Sequence, residues 1–256
     1  MTKIATWNVN SLRVRLPQVL DWLKNSQADI LALQETKLLD GNFPVDEIAD
    51  AGYHAAYSGQ KTYNGVAIIS KNKAGDIDTD LPGLDDPQRR VLCATIGDVR
   101  VLDVYIPNGE SIESDKYQYK LDWLDKLIAY VEIQLKQHEK FVILGDFNIA
   151  PEAIDTYDAE KWQGKVLFSD PERNAFQRLI SEGLTDTFRL FNSEEKQFSW
   201  WDYRMASFRR NLGMRIDHIL VSEALSKTCN RCEIDKIPRS WERPSDHTPV
   251  IAEFID

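Results

Sequence analysis

Cysteine is scarce in this 256-residue chain, with only Cys93, Cys229 and Cys232 present. An odd number of thiols does not make a disulfide framework, and the single Cys-x-x-Cys at 229–232 lacks the second pair that a tetrahedral zinc site needs. The thiols are expected to stay reduced, in a loop or a strand. Long apolar runs are missing as well: no stretch reaches the ~18 residues of a membrane span. The opening MTKIATWNVN runs directly into a strand pattern instead of a targeting signal. An untargeted, cytoplasmic protein with no membrane partner is the expectation. There is also no basic excess. The 31 Lys and Arg residues against 41 Asp and Glu give a formal net charge of −10, which argues against nucleic-acid binding driven by total charge. A local basic groove, or an acidic pocket around a divalent cation, stays compatible with that total. No linker-like or low-complexity stretch interrupts the chain, so one α/β domain over residues 1–256 is expected.

What is present is an alternation of short apolar runs and amphipathic stretches. Residues 4–7 and 30–33 read as strands, the second apolar throughout and so suited to burial on both faces. Residues 65–70, 90–96 and 99–106 add further strands, with Gly97-Asp98 as a hairpin signal. A helix is expected from about Pro17, where proline suits an opening turn. Tyr117, Leu121, Leu124, Ile128, Val131 and Leu135 recur at steps of four and three, marking a long amphipathic helix. A helix over 171–182 and strands at 215–221 and 250–254 complete the pattern. The stretches 150–170 and 188–213 read as long functional loops.

The run VILGDFNIAP at 142–151 raises the question of function. A buried strand ends by delivering a carboxylate and a carboxamide, Asp146 and Asn148, spaced by two so that an extended chain would point both the same way. Asn8 and Asn10 follow the first strand with the same spacing. Glu35 follows the second, Asp217 lies in a later strand, and Asp246-His247 precedes the last. Each of these has a bland reading as a turn former, a solvated acid or a capping imidazole. Together they are the hard oxygen ligands that Mg²⁺ or Mn²⁺ prefers, with an imidazole for proton transfer or phosphate polarisation. Convergence of these strand ends on one site is the expectation.

WNVNSLR (7–13), LQETK (33–37), YNGVAIISK (63–71), VYIPNGE (104–110), GDFNIAP (145–151), SWWDYR (199–204), RIDHIL (215–220) and SDHTPV (245–250) occur in that order. In this the chain resembles the exonuclease III family, DNA-repair enzymes of the endonuclease/exonuclease/phosphatase superfamily, over nearly its whole length. GDFN and SDH are shared more widely in the superfamily; WNVNSLR, RIDHIL and SWWDYR favour the DNA-repair branch. The resemblance implies a four-layered α/β sandwich, two packed mixed β-sheets flanked by helices. It implies Glu35 as principal metal ligand, with Asn8, Asn10 and Asp246 nearby. It also implies Asp146 as the group that positions or deprotonates the attacking water, Asn148 as an amide donor to the phosphate, and Asp217 with His247 as an orienting pair. Tyr105 resembles the tyrosine that reaches the phosphate or the leaving oxygen.

The loops would choose the substrate. Trp200 and Phe168 resemble the aromatics lining the pocket for an abasic sugar, with Trp201 a less certain neighbour, and Asn108, Arg13 and Arg204 are expected at the DNA. The implied partner is double-stranded DNA with abasic sites or 3′ ends, bound by a monomer. Leu167 departs from the pattern: it stands where abasic-site endonucleases of the family carry a small residue such as serine or glycine. It is expected to hinder an internal abasic nucleotide while leaving 3′ termini accessible. A phosphodiesterase or phosphatase of the same superfamily acting on small or lipid substrates is the alternative. A noncatalytic protein that keeps the scaffold is a further one, disfavoured by the intact set of polar residues.

Overall fold

The computed structural model describes residues 1–255. The chain begins β1 (Thr2–Asn8), α1 (Leu12–Ser26), β2 (Ile30–Gln34), α2 (Val45–Asp50), β3 (His54–Ser58), β4 (Val66–Ser70), β5 (Gly75–Asp78), β6 (Val91–Ile96), β7 (Val99–Tyr105) and α3 (Asp115–Gln137). It continues with β8 (Phe141–Asp146), α4 (Ala159–Trp162), α5 (Asp170–Ser181), β9 (Thr185–Asp186), α6 (Thr187–Phe191), β10 (Asp217–Val221), α7 (Glu223–Ser226), β11 (Cys229–Ile234) and β12 (Val250–Phe254). These form two six-stranded sheets, ordered β11-β12-β1-β2-β4-β3 and β5-β6-β7-β8-β10-β9. Both are mixed: β1 runs parallel to β2, β7 runs parallel to β8, and the other pairs are antiparallel.

The doubly apolar strands explain the layering. Ile30 and Ala32 of β2 join Val142 and Leu144 of β8 in a core between the sheets. Their neighbours Leu31 and Leu33 face outward into a second core with Trp22 and Leu23 of α1. On the far side, Phe141 and Ile143 meet Trp123, Leu124, Leu127 and Ile128 of α3 and Phe176 of α5. Three cores separate four layers, helix, sheet, sheet, helix, as the apolar pattern requires. Among the described residues no helix is long and apolar enough to cross a membrane.

Most expected elements are present, with informative differences. Helix α1 begins at Leu12, so Pro17 sits inside it rather than at its start. The N–H groups of Ser11 and Leu12 donate to the Glu35 and Thr36 carbonyls beyond β2. That long-range tether, invisible in a local pattern, starts the helix a turn early. Strand β5 is exposed at all four positions and lacks an apolar signature. Cys229 and Cys232 lie in β11 as free thiols.

Two buried ionic networks fix the loops that leave the sheets. Lys120 of α3 is fully buried against Glu172 of α5 at 2.5 Å, and its ammonium also donates to the carbonyls of Asn148 (2.7 Å) and Asn108 (3.2 Å). Glu172 accepts in turn from the N–H groups of Leu167 and Ser169, both at 3.0 Å. Three loops thus meet on one ion pair. Arg215 binds Asp155 and Asp186 at 2.6 and 2.8 Å, tying the 153–156 turn to the entry of β10. Beside it, His218 accepts from the Arg215 guanidinium at Nδ1 and donates from Nε2 to the Ile149 carbonyl at 2.9 Å, so its neutral tautomer is set by its neighbours.

These networks make two predictions. Lys120→Met would leave the Glu172 carboxylate buried without its cation, and should cost about 3–5 kcal/mol in urea unfolding; a loss under about 1 kcal/mol would remove this pair from its structural role. Burial, then the Arg215 charge, pushes His218 down from 6.5 to about 4. Between those values the unfolded chain binds a proton that the folded chain does not, so this residue makes stability fall as pH drops through that window, by on the order of 3 kcal/mol in all. An NMR titration should show the His218 ring still neutral at pH 5, and a midpoint near 6.5 would refute the assignment.

Candidate active site

The parallel pairs carry the polar residues to one end of the sandwich. Asn8 ends β1, Glu35 follows β2, and Asp146 ends β8, where it lies directly opposite Asp217, the first residue of β10. His247 precedes β12, the antiparallel neighbour of β1. The sheets face each other, so the groups meet across the gap. The Asn8 amide nitrogen donates 2.9 Å bonds to both Glu35 and Asp146. His247 bonds Asp217 through Nδ1 at 2.9 Å and turns Nε2 toward Asp146 at 3.7 Å. Asp246 receives 2.9 Å and 3.1 Å bonds from Asn10 and from the Trp200 indole.

The spacing argument from an extended chain does not hold locally. Asn148 and Asn10 are left-handed, at φ 50° and 44°, so each chain has already turned out of its strand. In both places the residue two before supplies the turn: Asp146 accepts from the Asn148 N–H at 2.9 Å, and Asn8 from the Asn10 N–H at 3.0 Å. The turn-forming reading holds for these residues and is compatible with the site reading, with one oxygen holding the turn and the rest of the side chain facing the gap. Glu35 is left-handed too, at φ 53°. Such backbone costs of order 1–3 kcal/mol per non-glycine residue and persists where surroundings over-determine it, often at functional sites. Gly145 completes the device: at φ 145°, a Cβ there would lie 1.9 Å from the Val104 carbonyl oxygen, so only glycine lets β8 pass β7 and deliver Asp146.

Burial and charge set the protonation states. Burial pushes Asp146 up to about 7, against the pull of His247. Burial alone would lower His247, but the carboxylates of Asp217 and Asp146 raise it to about 10, leaving a cation with one N–H aimed into the gap. Asp246, despite its burial, is held below its usual value by His247 and by its Asn10 and Trp200 donors. Burial, then the charges of Glu35 and Asp146, lifts Tyr105 well above its ordinary value, with its hydroxyl bonded to Glu35. It therefore stays a neutral donor.

Other expected residues fall around this centre. Asn108 is exposed and donates to the Asn148 amide oxygen at 3.0 Å, while Asn148 donates to the Ile106 carbonyl; the pair fixes the Asn148 amide. Phe168 is buried under the Arg173 guanidinium. Leu167 packs in a cluster with Phe168, Met214, Ile216 and Trp200. Trp201 is fully buried and bonds Asn211, which makes it core and not a DNA platform. Arg204 is exposed, though its charge is matched by Asp202 at 2.6 Å, and Arg13 is exposed on the first turn of α1, outside the cluster. Sequence reasoning passed over Lys37, which bonds Glu35 at 2.8 Å and Asn10 at 2.6 Å. It also passed over Arg90, stacked 4.6 Å over the Tyr105 ring, and Ser199, whose hydroxyl accepts from the N–H groups of Ile216 and Asp217. Lys37 was within reach, since it shares the LQETK block with Glu35; the other two needed the tertiary fold.

The donor chemistry fits a divalent cation. Asp146, Asp217 and His247 bring ligand atoms within 4.8 Å of one another, the one such group among the described residues. Protonated and engaged with Asp217, His247 is a poor ligand, whereas the clustered carboxylate oxygens, Glu35 included, are hard donors that Mg²⁺-type ions prefer. A cation there would offset their mutual repulsion. Together with a fixed amide, a phenol and an imidazolium, this is equipment for an anionic centre that gains charge during reaction.

Comparison with known proteins agrees with this geometry. A model of the Endonuclease/Exonuclease/phosphatase family matches residues 5–247. An exodeoxyribonuclease III of Haemophilus influenzae is 37% identical, with 98% of this chain and 99% of that one covered. A Neisseria 3′ phosphatase solved with a product DNA hairpin superposes with a TM-score of 0.99 at 50% identity over the whole of both chains. An AP endonuclease from Archaeoglobus fulgidus gives 0.96 at 38% identity, again over both whole chains. With its sandwich, its paired strand ends and its matched length, the chain belongs to the Endonuclease/Exonuclease/phosphatase family.

Proposed function

We propose that this protein is an exonuclease III-type DNA-repair hydrolase that uses Mg²⁺, or Mn²⁺, to cut phosphodiesters from 3′ ends of double-stranded DNA and to clear blocked 3′ termini. The observation that carries this is the meeting of Asn8, Glu35, Asp146, Asp217 and His247 across two sheets. Glu35 and Asp246 would hold the cation, with Asn10 orienting Asp246 and Asn8 spacing the carboxylates. When bound, the cation would supply positive charge against the negative charge that builds on the phosphate. Asp146, raised toward neutrality, takes the proton of the attacking water. His247, Asn148 and Tyr105 donate to the phosphate as negative charge builds. The site is complete within one chain, in keeping with a monomer, and a cytoplasmic setting suits its reduced thiols.

Leu167 bears on substrate choice. It is only 5% exposed, adopts φ 74°, and packs in the cluster that contains Trp200. Its N–H and carbonyl are both taken, by Glu172 and by the Ala150 N–H. A branched side chain so anchored has little room to yield, and overfilling such a spot costs about 1–3 kcal/mol. Internal abasic nucleotides, which must enter the pocket from an intact duplex, are disfavoured, while 3′ ends need less distortion.

Three measurements test this reading. End-labelled duplex DNA should lose 3′ nucleotides with Mg²⁺ and be stable with EDTA; turnover of small phosphoesters but not DNA would favour the alternative phosphatase. Asn148→Ala and His247→Ala should each lose on the order of 10²-fold or more in kcat while folding normally, and retention of most activity would refute their roles. Leu167→Gly should gain incision at an internal abasic analogue with little change at 3′ ends. No gain would end the steric explanation.

A further inference from the structure

A second cleft, of ≈ 750 Å³, opens beside the reaction centre between α4 and the 202–212 turn. Its walls are aromatic and cationic: Tyr157, Trp162 and Trp200 with Lys161, Arg204 and Arg210. Tyr157 and Trp162 stand edge to face at 82°, and the Lys161 ammonium sits 5.3 Å over the Tyr157 ring while bonding its hydroxyl. The acids of the same cleft are engaged. Asp202 is taken up by Arg204, and Asp158 caps α4 through the Lys161 N–H. The Trp162 indole N–H is buried without a protein acceptor. At the inner end, Trp200 belongs to both places, since its N–H bonds Asp246 and its ring lies 6.4 Å from that of His247.

Resting on the nuclease reading, we propose that this cleft receives the unpaired base of a frayed or mismatched 3′-terminal nucleotide while its phosphate occupies the reaction centre. Aromatic faces accept any base, and flanking cations accompany its backbone. A paired base would have to leave the stack to arrive there, whereas a mismatched one has less stacking and pairing to lose. The cleft therefore makes the enzyme favour unpaired 3′ ends. The shared Trp200 places base and phosphate within one nucleotide of each other, a reach that a protein or lipid partner would not need. Of the cleft's cations Arg204 is already neutralised by Asp202, which leaves Lys161 and Arg210 to accompany a single terminal nucleotide.

The test compares two hairpin duplexes that differ in a matched or mismatched 3′-terminal nucleotide, and follows 2-aminopurine at that position in EDTA. Wild type should remove the mismatched nucleotide faster and quench the fluorophore only when it is unpaired. Trp162→Ala should lower the mismatched-to-matched rate ratio about tenfold and relieve the quenching. Trp162→Phe, which keeps a π face, should restore both, so a mere packing defect is separable. Tyr157→Ala should act in the same direction. Equal losses on both ends, or quenching untouched in Trp162→Ala, would overturn the proposal. If wild type degrades neither hairpin, the nuclease reading fails, and the fluorescence still decides whether the cleft takes a base.

Discussion

The two hydrogens of the Asn8 amide hold this architecture's most demanding contact: one nitrogen bridges carboxylates that come from different sheets. Glu35 leaves β2 in one sheet and Asp146 ends β8 in the other, so the bond fixes how far apart the sheets stand where the site lies. A buried acid and a half-buried one at that separation repel, and the repulsion grows as water is excluded. Much of the surrounding chemistry answers it. Lys37 and His247 supply positive charge, Asn10 and Trp200 supply donors to Asp246, and the remaining excess of negative charge is what a bound metal ion would balance.

Backbone geometry follows from the same demand. Strands that end flush would spread their side chains along the sheet edge, whereas left-handed turns at Asn10, Glu35 and Asn148 fold the chain back over the gap. Those turns are costly and would relax if free. They are held from behind: Lys120 binds the Asn148 carbonyl, and α1 is tethered to the backbone after β2. The layer of polar strand ends is thus only as precise as the ion pair and the helix N-terminus that stand behind it.

Much of this was legible from residues alone. The apolar runs at 30–33 and 142–144 marked doubly buried strands because nothing polar interrupts them, and the four-three spacing from Tyr117 to Leu135 marked α3. The convergence of Asp146, Asp217 and His247 was readable only from the joint pattern, since each residue taken singly also reads as a turn former, a solvated acid or a cap. The early start of α1, the exposed strand β5 and the roles of Arg90 and Ser199 were not readable, since each depends on partners far away in the chain. Trp201 shows the limit most clearly. It adjoins Trp200 in a motif of two tryptophans, yet the neighbours point opposite ways, one to the cleft and one to the core, and only the bridge to Met214 and the Gly213 contact decide which.

Strand β12 lies between β1 and β11, and the segment leading into it carries Asp246 and His247. A polypeptide in which β12 has not yet docked holds β1 unpaired on one edge and lacks the His247 imidazole at the site. Closing that edge of the sheet and seating the Asp246–His247 segment are therefore one event, because the same stretch of chain does both.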